Sequence, residues 1–344
     1  MKPGTLLRQS PRTGKLLSSV SSTTSPESLG PPRSQPAAAS GAGLPMASTP
    51  ALSEWIIPCL LFLLTLMSTT FAGLLYATDN GSFWGMAFVA LAHPSLLQYG
   101  LPFSIPLLAI LLAHEMGHFF ACRYYAIKCT PPFFIPLPVS IAGTLGAFIR
   151  IKSPFQHKRA LFDVGVAGPL AGFALLLPAL FLGISYSRLI PKGSIPGGIS
   201  FGEPLLFRWV GKLVLGYSPE TQDMVAHPIA MAAWFGLLAT CLNLLPIWQL
   251  DGGHIAYAML GRRLQKKLSI AGSVALIAIS FLGWPIPSYL VFGMLLLILG
   301  SRFRFYHPPT LLDDQNVGTR RILIGLMAAI ILVISFTLVP ITVQ

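Results

Sequence analysis

The sequence contains a series of apolar segments that are long enough to cross a lipid bilayer as helices. A bilayer core needs about 20 consecutive apolar residues in a helix. The segments of this kind are residues 55–77, 101–122, 160–186, 228–248, 268–284, 288–300 and 322–340. The sixth segment is short and follows the fifth closely, which favours a tight hairpin. The pattern predicts an all-α polytopic membrane protein with about 6–7 transmembrane helices.

The composition agrees with a membrane protein and excludes several other classes. Of the 344 residues, 53% are hydrophobic and only 10% are charged, and the mean hydropathy is +0.70. Soluble domains carry about 25% charged residues, so a soluble globule of this composition would lack the charge to cover its surface. A soluble enzyme, a disordered protein and a nucleic-acid-binding protein are therefore excluded.

The basic residues that give the chain its net charge of +12 are distributed asymmetrically between the apolar segments. If the N-terminus lies inside, nineteen of the 23 Lys and Arg residues fall on the cytoplasmic side and four on the opposite side. Cytoplasmic loops of membrane proteins carry an excess of Lys and Arg. The distribution therefore predicts a cytoplasmic N-terminus.

Two stretches do not fit the pattern of regular spans. Residues 1–50 are rich in Ser and Pro and contain one acidic residue, Glu27, so we expect a disordered tail. We expect a plain cytoplasmic tail or a true start at Met46, and the alternative is an organelle transit peptide, which this composition also resembles. Residues 82–100 are apolar but interrupted by His93-Pro94 and Gly100, which favours an interfacial or re-entrant segment.

The second apolar segment contains the sequence His114-Glu115-Met116-Gly117-His118, an H-E-x-x-H pattern. Residues four apart on a helix project from one face, about 40° apart, so the two imidazoles can share one Zn²⁺. Glu115 is placed to act as a general base on a water molecule. Ionisable side chains inside a membrane are costly unless something compensates them, and a bound dication does so. The alternative is a polar cluster that only pairs helices.

A catalytic zinc site with two histidines needs a third protein ligand. The other acidic candidates are less suitable because they lie in loops or beside basic residues: Glu203, Glu220, Asp223, Asp313, Asp314 and Asp163. Asp251 follows the fourth segment, which runs in the same direction as the second, so both sets of ligands reach the same membrane side. Pro246 and Gly252-Gly253 interrupt the helix there, and irregular backbone at membrane depth is typical of a site.

Together, H-E-x-x-H and the later pattern Asn243-x-x-Pro246-x-x-x-Leu250-Asp251-Gly252 resemble the site-2 protease family of intramembrane zinc metalloproteases. Residues 168–172 (GPLAG) and 143–150 (GTLGAFIR) are also similar to segments of that family, the second of which forms a membrane-associated β-hairpin or loop near the site. The resemblance covers roughly residues 95–265. The outer loop, residues 187–227, is too short for the PDZ domain that many relatives carry there.

The resemblance implies a role for each matching residue. His114, His118 and Asp251 would be the ligands of one Zn²⁺ per chain, and Glu115 would be the base and proton shuttle. Asn243 would lie near the substrate backbone or oxyanion. The turn that presents Asp251 would be shaped by Pro246, Leu250 and Gly252. The substrate would be a transmembrane protein, and residues 139–150 could offer it a strand edge. We expect a first helix and interfacial segment at 51–100, a metalloprotease core at 101–265 and C-terminal transmembrane helices at 266–344.

Three alternatives remain open at this level. A proteolytically silent relative would bind membrane partners without cleaving them, although Glu115 is intact. A zinc transporter would need acidic or His residues at several depths. A zinc protease of the prenyl-protein type would use a glutamate as third ligand. For localisation we expect a multi-pass protein of a bacterial inner membrane, with a plastid membrane as the alternative. Within the site, His254 is a candidate for a supporting role beside Asp251.

Overall fold

The computed structural model describes residues 50–77, 92–194, 199–305, 309–312 and 316–343, which belong to one compact unit. The α-helices are α1 (Ser53–Ala77), α2 (Leu101–Tyr124), α3 (Lys158–Ser185), α4 (Leu205–Leu215), α5 (Pro228–Leu244), α6 (Asp251–Ser280), α7 (Leu290–Arg302) and α8 (Thr319–Ser335). The strands are β1 (Phe133–Pro136), β2 (Thr144–Phe148), β3 (Arg188–Pro191), β4 (Ile199–Phe201), β5 (Gln222–Val225) and β6 (Ile341–Val343).

Four of the described helical stretches are long and apolar enough to cross a membrane, which confirms the prediction of a helical, polytopic membrane protein. They are α1, α2 together with the short 3-10 helix Pro94–Gly100 that precedes it, α3, and α6 together with the 3-10 turn that follows it. Helices α5 and α7 are shorter but also apolar. Many large apolar side chains on these helices point outward, as expected where lipid rather than water surrounds the protein.

Helix α3 is central because it packs against α2, α5 and α6. Small residues allow these helices to approach closely. A Cβ atom added to Gly117 of α2 would lie 2.4 Å from the carbonyl oxygen of Ala167, and one added to Gly183 of α3 would lie 2.2 Å from the nitrogen of Ala230. Between helices in lipid, association depends on such close packing rather than on the hydrophobic effect. The two glycines therefore allow α2 and α5 to pack closely against α3.

A short hairpin of β1 and β2 lies between α2 and α3 along the chain, as the sequence predicted near residues 143–150. The two strands are antiparallel, with Phe133 opposite Phe148. Helix α1 holds the connection between them, because the Ser68 hydroxyl donates to the Gly143 carbonyl at 2.7 Å and the Tyr76 hydroxyl donates to the Ile141 carbonyl at 2.8 Å. The hairpin is thus fixed to the membrane helix α1.

Helix α6 begins earlier than the sequence suggested. We expected a basic loop followed by a span from residue 268, whereas the helix starts at Asp251 and continues to Ser280. The one interruption is at Gly261, whose φ of 76° only glycine adopts without strain. The four basic residues that follow Gly261 are therefore helical: Arg262, Arg263, Lys266 and Lys267.

Two further expectations fall wholly or partly outside the described residues. The disordered tail predicted for residues 1–50 lies outside them apart from its last residue, as do residues 82–91 of the predicted interfacial segment. The remainder of that segment contains the 3-10 helix Pro94–Gly100, which leads directly into α2. The loop at 187–227 contains β3, β4, α4 and β5, with β3 paired to β5 and β4 paired to the C-terminal strand β6.

Candidate metal centre

His114 and His118 lie one turn apart on α2 and are both buried, with 5% and 7% of their surface exposed. Their Nε2 atoms are 3.1 Å apart, so the two rings point at one position, as the four-residue spacing predicted. In an apolar helix this arrangement places two imidazole nitrogens in a region that water barely reaches. Such a pair is costly to bury unless both nitrogens have partners.

Asp251 supplies the third side chain from the first residue of α6. Its Oδ2 lies 3.0 Å from Nε2 of His114, and its Oδ1 lies 3.2 Å from Nε2 of His118. His114 and Asp251 are 137 positions apart in the sequence. Even so, each of the three residues places one donor atom within 4.8 Å of the donor atoms of the other two. Two imidazole nitrogens and a carboxylate oxygen are a donor set that suits zinc. His114, His118 and Asp251 thus form a group able to bind a metal ion.

Helix α3 orients His118 in two ways. The Nδ1 atom of His118 lies 2.7 Å from the carbonyl oxygen of Val164, a contact that requires an N–H at Nδ1 and leaves Nε2 as the electron-pair donor facing Asp251. Gly168, one turn further along α3, leaves the space that the ring fills. Pro169 has no backbone N–H, which disturbs the regular helix hydrogen bonding beside these residues.

Glu115 lies beside the group and has 6% of its surface exposed. The backbone N–H of Ile149, directly after β2, lies near its carboxylate and interacts favourably with its charge. A cavity of about 200 Å³ opens at this point, and its lining includes Glu115, Ile149, Ala147 and Phe148 as well as the three candidate ligands. The end of the hairpin thus forms one wall of the site and holds the carboxylate in place.

The other residues of the second sequence pattern surround Asp251. Asn243, near the end of α5, has its Nδ2 atom 3.4 Å from Nε2 of His114 and also lines the cavity. Pro246 lies in the turn after α5, and Leu250 is the residue that precedes the first turn of α6. A Cβ atom on Gly252 would lie 1.9 Å from the carbonyl oxygen of Leu244, so only glycine allows the chain to pass there.

His254 is one turn into α6 and does not join the three-residue group. Its Nδ1 lies 2.8 Å from the Leu250 carbonyl, and its ring packs edge-on against Phe155 at 5.9 Å. It lines the cavity at the metal-binding group and a second cavity of about 420 Å³ alongside. The structure therefore places it in a supporting position.

The remaining acidic candidates have other partners or lie elsewhere. Asp163 accepts two hydrogen bonds from Arg321 of α8 and one from the Tyr125 hydroxyl. Glu203 accepts from Tyr217 at 2.5 Å and from Arg208 at 3.2 Å. Asp313 and Asp314 lie outside the described residues.

Sequence reasoning missed the supporting contacts from Val164, Gly168 and Ile149. Two of these contacts use backbone atoms, which carry no signature in the residue type. Gly168 and Gly172 have the G-x-x-x-G spacing, which indicates close helix packing without saying what fills the space. The signal available was the similarity of residues 168–172 to a segment of the site-2 protease family.

This helical membrane protein has H-E-x-x-H on one apolar helix and an aspartate from another helix that converges on it. These are the site residues expected of a membrane metallopeptidase. The chain belongs to peptidase family M50, whose family model matches residues 102–283. This match confirms the resemblance to the site-2 proteases that the sequence patterns indicated.

Curated relatives agree with the family assignment. The chain is 33% identical over 307 residues to the probable zinc metalloprotease EGY1, chloroplastic, of rice (Oryza sativa subsp. japonica), covering 84% of this chain and 51% of that protein. It is 33% identical over 224 residues to the probable zinc metalloprotease EGY2, chloroplastic, of Arabidopsis thaliana, covering 65% of this chain and 40% of the relative. The chain therefore spans about half the length of these relatives or less.

The names of these relatives bear on localisation. Both are described as chloroplastic, so they give no support to the bacterial inner membrane that the sequence led us to favour. The apolar helices agree with integration into a membrane.

Proposed function

We propose that this chain is an intramembrane zinc endopeptidase, which hydrolyses peptide bonds within or near transmembrane segments of membrane proteins. The observation that carries the proposal is the convergence of His114, His118 and Asp251 beside Glu115, between apolar helices. Membership of peptidase family M50 and the metalloprotease names of the relatives support it.

The three side chains are suited to hold one zinc ion per chain. Their donor atoms already face one another at 3.0–3.2 Å, and His118 has the carbonyl partner that such ligands usually carry on the opposite ring nitrogen. Three protein ligands leave a position open, as catalytic rather than structural zinc sites do. Zinc bound there would polarise a peptide carbonyl and acidify a water molecule.

Glu115 would act as the general base and proton shuttle. Its carboxylate faces the cavity, where it can accept a proton from the attacking water and return it to the leaving amine nitrogen. The Ile149 N–H keeps the carboxylate oriented during both transfers. The side-chain amide of Asn243 reaches the same cavity and would donate a hydrogen bond to the substrate carbonyl oxygen as negative charge develops on it.

The substrate segment would have to be extended rather than helical at the cleavage point, because a helix hides its carbonyl groups in its own hydrogen bonds. Ala147, Phe148 and Ile149 line the cavity, so a substrate strand could pair with β2 while its scissile bond faces Glu115. The adjoining cavity of about 420 Å³, which shares Phe148 and Ile149, has room for the neighbouring side chains. In this proposal residues 101–265 carry the chemistry.

The test measures zinc content and cleavage on the same purified, detergent-solubilised protein, with a generic single-span membrane protein as substrate. We expect the unsubstituted chain to bind about one zinc and cleave. Glu115→Gln should keep zinc and lose cleavage, whereas Asp251→Asn should lose both. Glu220→Gln and Asp223→Asn in the outer loop are matched controls, because they make the same chemical changes away from the site, and both should behave as the unsubstituted chain.

The outcome also separates this function from its rivals. Absence of zinc in the unsubstituted chain would refute the proposed ligands. Zinc without cleavage across a panel of single-span substrates would point to a silent, partner-binding relative. A transporter is disfavoured because, among the described residues, one cluster of His, Cys, Asp or Glu able to hold a metal is found rather than several at different depths.

For localisation we propose a plastid membrane, since both relatives are named as chloroplastic. The function would be regulated intramembrane proteolysis of a transmembrane protein there. Expression of a fluorescent fusion in plant cells tests the localisation, and fluorescence confined to a non-plastid membrane would contradict it.

A further inference from the structure

The turn that presents Asp251 contains backbone groups that lie outside the regular hydrogen bonding of α5 and α6. α5 ends at Leu244 and α6 begins at Asp251, and Trp248 between them has a φ of 43°, a left-handed conformation that is unfavourable for a bulky residue. Irregular backbone at membrane depth persists only where protein groups satisfy its N–H and C=O. The partners of Trp248 therefore decide where Asp251 sits.

Two buried polar side chains of α6 supply those partners. The hydroxyl of Ser269 accepts the backbone N–H of Trp248 at 2.8 Å, and the amide of Gln265 donates to the Trp248 carbonyl at 3.2 Å. Neither Gln265 nor Ser269 exposes any surface. A pair of side chains one helix turn apart thus holds both backbone groups of Trp248.

Ser269 uses its full hydrogen-bonding capacity in this arrangement. Its hydroxyl donates to the Gln265 carbonyl at 2.9 Å and accepts from both Trp248 N–H and the Gln265 amide, the latter at 2.9 Å. A hydroxyl offers one donor and two acceptor positions, so none is left over. Gln265, by contrast, keeps its Oε1 buried without a hydrogen-bond partner among the described residues. A residue needed only for packing would avoid that cost.

We propose that Gln265 and Ser269 are positioning residues of the metal centre, acting on Asp251 through the backbone of Trp248. The inference rests on the proposed function, because it assumes that Asp251 is a metal ligand. Asp251 lies three residues after Trp248, and the intervening turn is closed by the Leu250 N–H donating to the Ile247 carbonyl at 3.0 Å. Release of Trp248 would therefore displace the carboxylate from the two histidines.

Ser273 provides a matched control on the same helix. It is also fully buried, and its hydroxyl donates to the carbonyl of Ser269 within α6, as Ser269 does to Gln265. Ser269→Ala and Ser273→Ala each remove one buried hydroxyl and one bond to the residue's own helix. Only Ser269→Ala also leaves a backbone N–H of the turn without a partner.

The experiment measures zinc affinity by competition with a chromophoric chelator, using the full chain in detergent, together with the unfolding temperature of the metal-free protein. We expect Ser269→Ala to weaken zinc binding by at least about tenfold, as changes in residues that orient ligands do, and Ser273→Ala to change it less than about twofold. Without metal, Ser269→Ala should unfold at a lower temperature than Ser273→Ala because of the N–H left without a partner. Both metal-free variants should still be folded at the temperature of the binding assay, so unfolding would not explain the difference in zinc affinity.

Gln265→Met keeps the length of the side chain and removes the amide, and it is the second test if Ser269→Ala does not fold. It should also weaken zinc binding by about tenfold. Equal zinc affinity in Ser269→Ala and Ser273→Ala, or an unchanged affinity in Gln265→Met, overturns the inference while leaving the proposed function intact. Failure of the unsubstituted chain to bind zinc overturns both.

Discussion

A Cβ atom built on Gly168 of α3 would lie 2.1 Å from Nε2 of His118 on α2. The imidazole therefore occupies the space that a side chain at this position would need. One helix carries the candidate ligand, and another provides both the gap for its ring and, through Val164, a hydrogen bond to its far nitrogen. The geometry of the centre thus depends on the contact between α2 and α3 as much as on the three side chains.

Gly168→Ala should abolish metal binding, because the added methyl group and the His118 ring would occupy the same space. Gly172→Ala is the matched comparison, since it also replaces a glycine of α3 but brings its Cβ only to 3.1 Å from Cβ of His114. Both substitutions gain the same helix propensity, about 0.5–1 kcal/mol. We expect zinc content to fall to background in Gly168→Ala and to be reduced only partly in Gly172→Ala, and equal zinc contents would contradict the argument.

Removal of the metal should destabilise the protein through the same three residues. A ligand present at a hundredfold excess over its dissociation constant stabilises the folded state by about 2.7 kcal/mol. We therefore expect a strong chelator to lower the unfolding temperature by several degrees in the unsubstituted chain and in the remote variant His227→Asn. The unfolding temperature of His114→Ala should be the same with and without the chelator. A chelator effect that persists in this variant would show that the metal binds at a site without His114.

The sequence predicted the residues whose chemistry and spacing are distinctive, and missed those that act through the backbone. The pair His114 and His118 follows from helical periodicity, and Asp251 from the orientation of two spans. Nothing in the residue type marks the Val164 carbonyl or the Ile149 N–H. The basic residues between the fourth and fifth apolar segments indicated a loop, whereas α6 continues through them and through Gln265.

The pairing of Arg321 with Asp163 should anchor α8 to α3. The guanidinium donates through Nε to Oδ1 at 2.8 Å and through Nη2 to Oδ2 at 2.6 Å, and both side chains are about three-quarters buried. Hydrogen bonds to charged groups are stronger than neutral ones, but partial exposure reduces their contribution, so we expect Arg321→Ala to lose about 1–2 kcal/mol of stability.

The neighbouring, exposed Arg320 gives the control for this prediction, because Arg320→Ala removes the same charge without the pairing. Denaturant unfolding of both variants and of Asp163→Asn in a double-mutant cycle would measure the coupling. Additive effects of Arg321→Ala and Asp163→Asn would show that the contact contributes nothing.

The end of α5 opposite to the metal centre should become less stable as pH falls. His227 precedes this helix, and its Nδ1 accepts the N–H of Ile229 at 3.3 Å. Burial lowers the pKa of His227 below its ordinary value of 6.5. The folded state thus favours the neutral ring, which alone can accept this hydrogen bond, and a proton would add positive charge at a helix N-terminus. The stabilisation that the neutral His227 ring gives to the folded state is complete above about pH 6.5 and is lost as pH falls through the lowered pKa.

His227→Asn keeps an acceptor that does not titrate, so its unfolding temperature should decline less between about pH 7.5 and pH 5 than that of the unsubstituted chain. Parallel declines in the two proteins would exclude His227 as the titrating group.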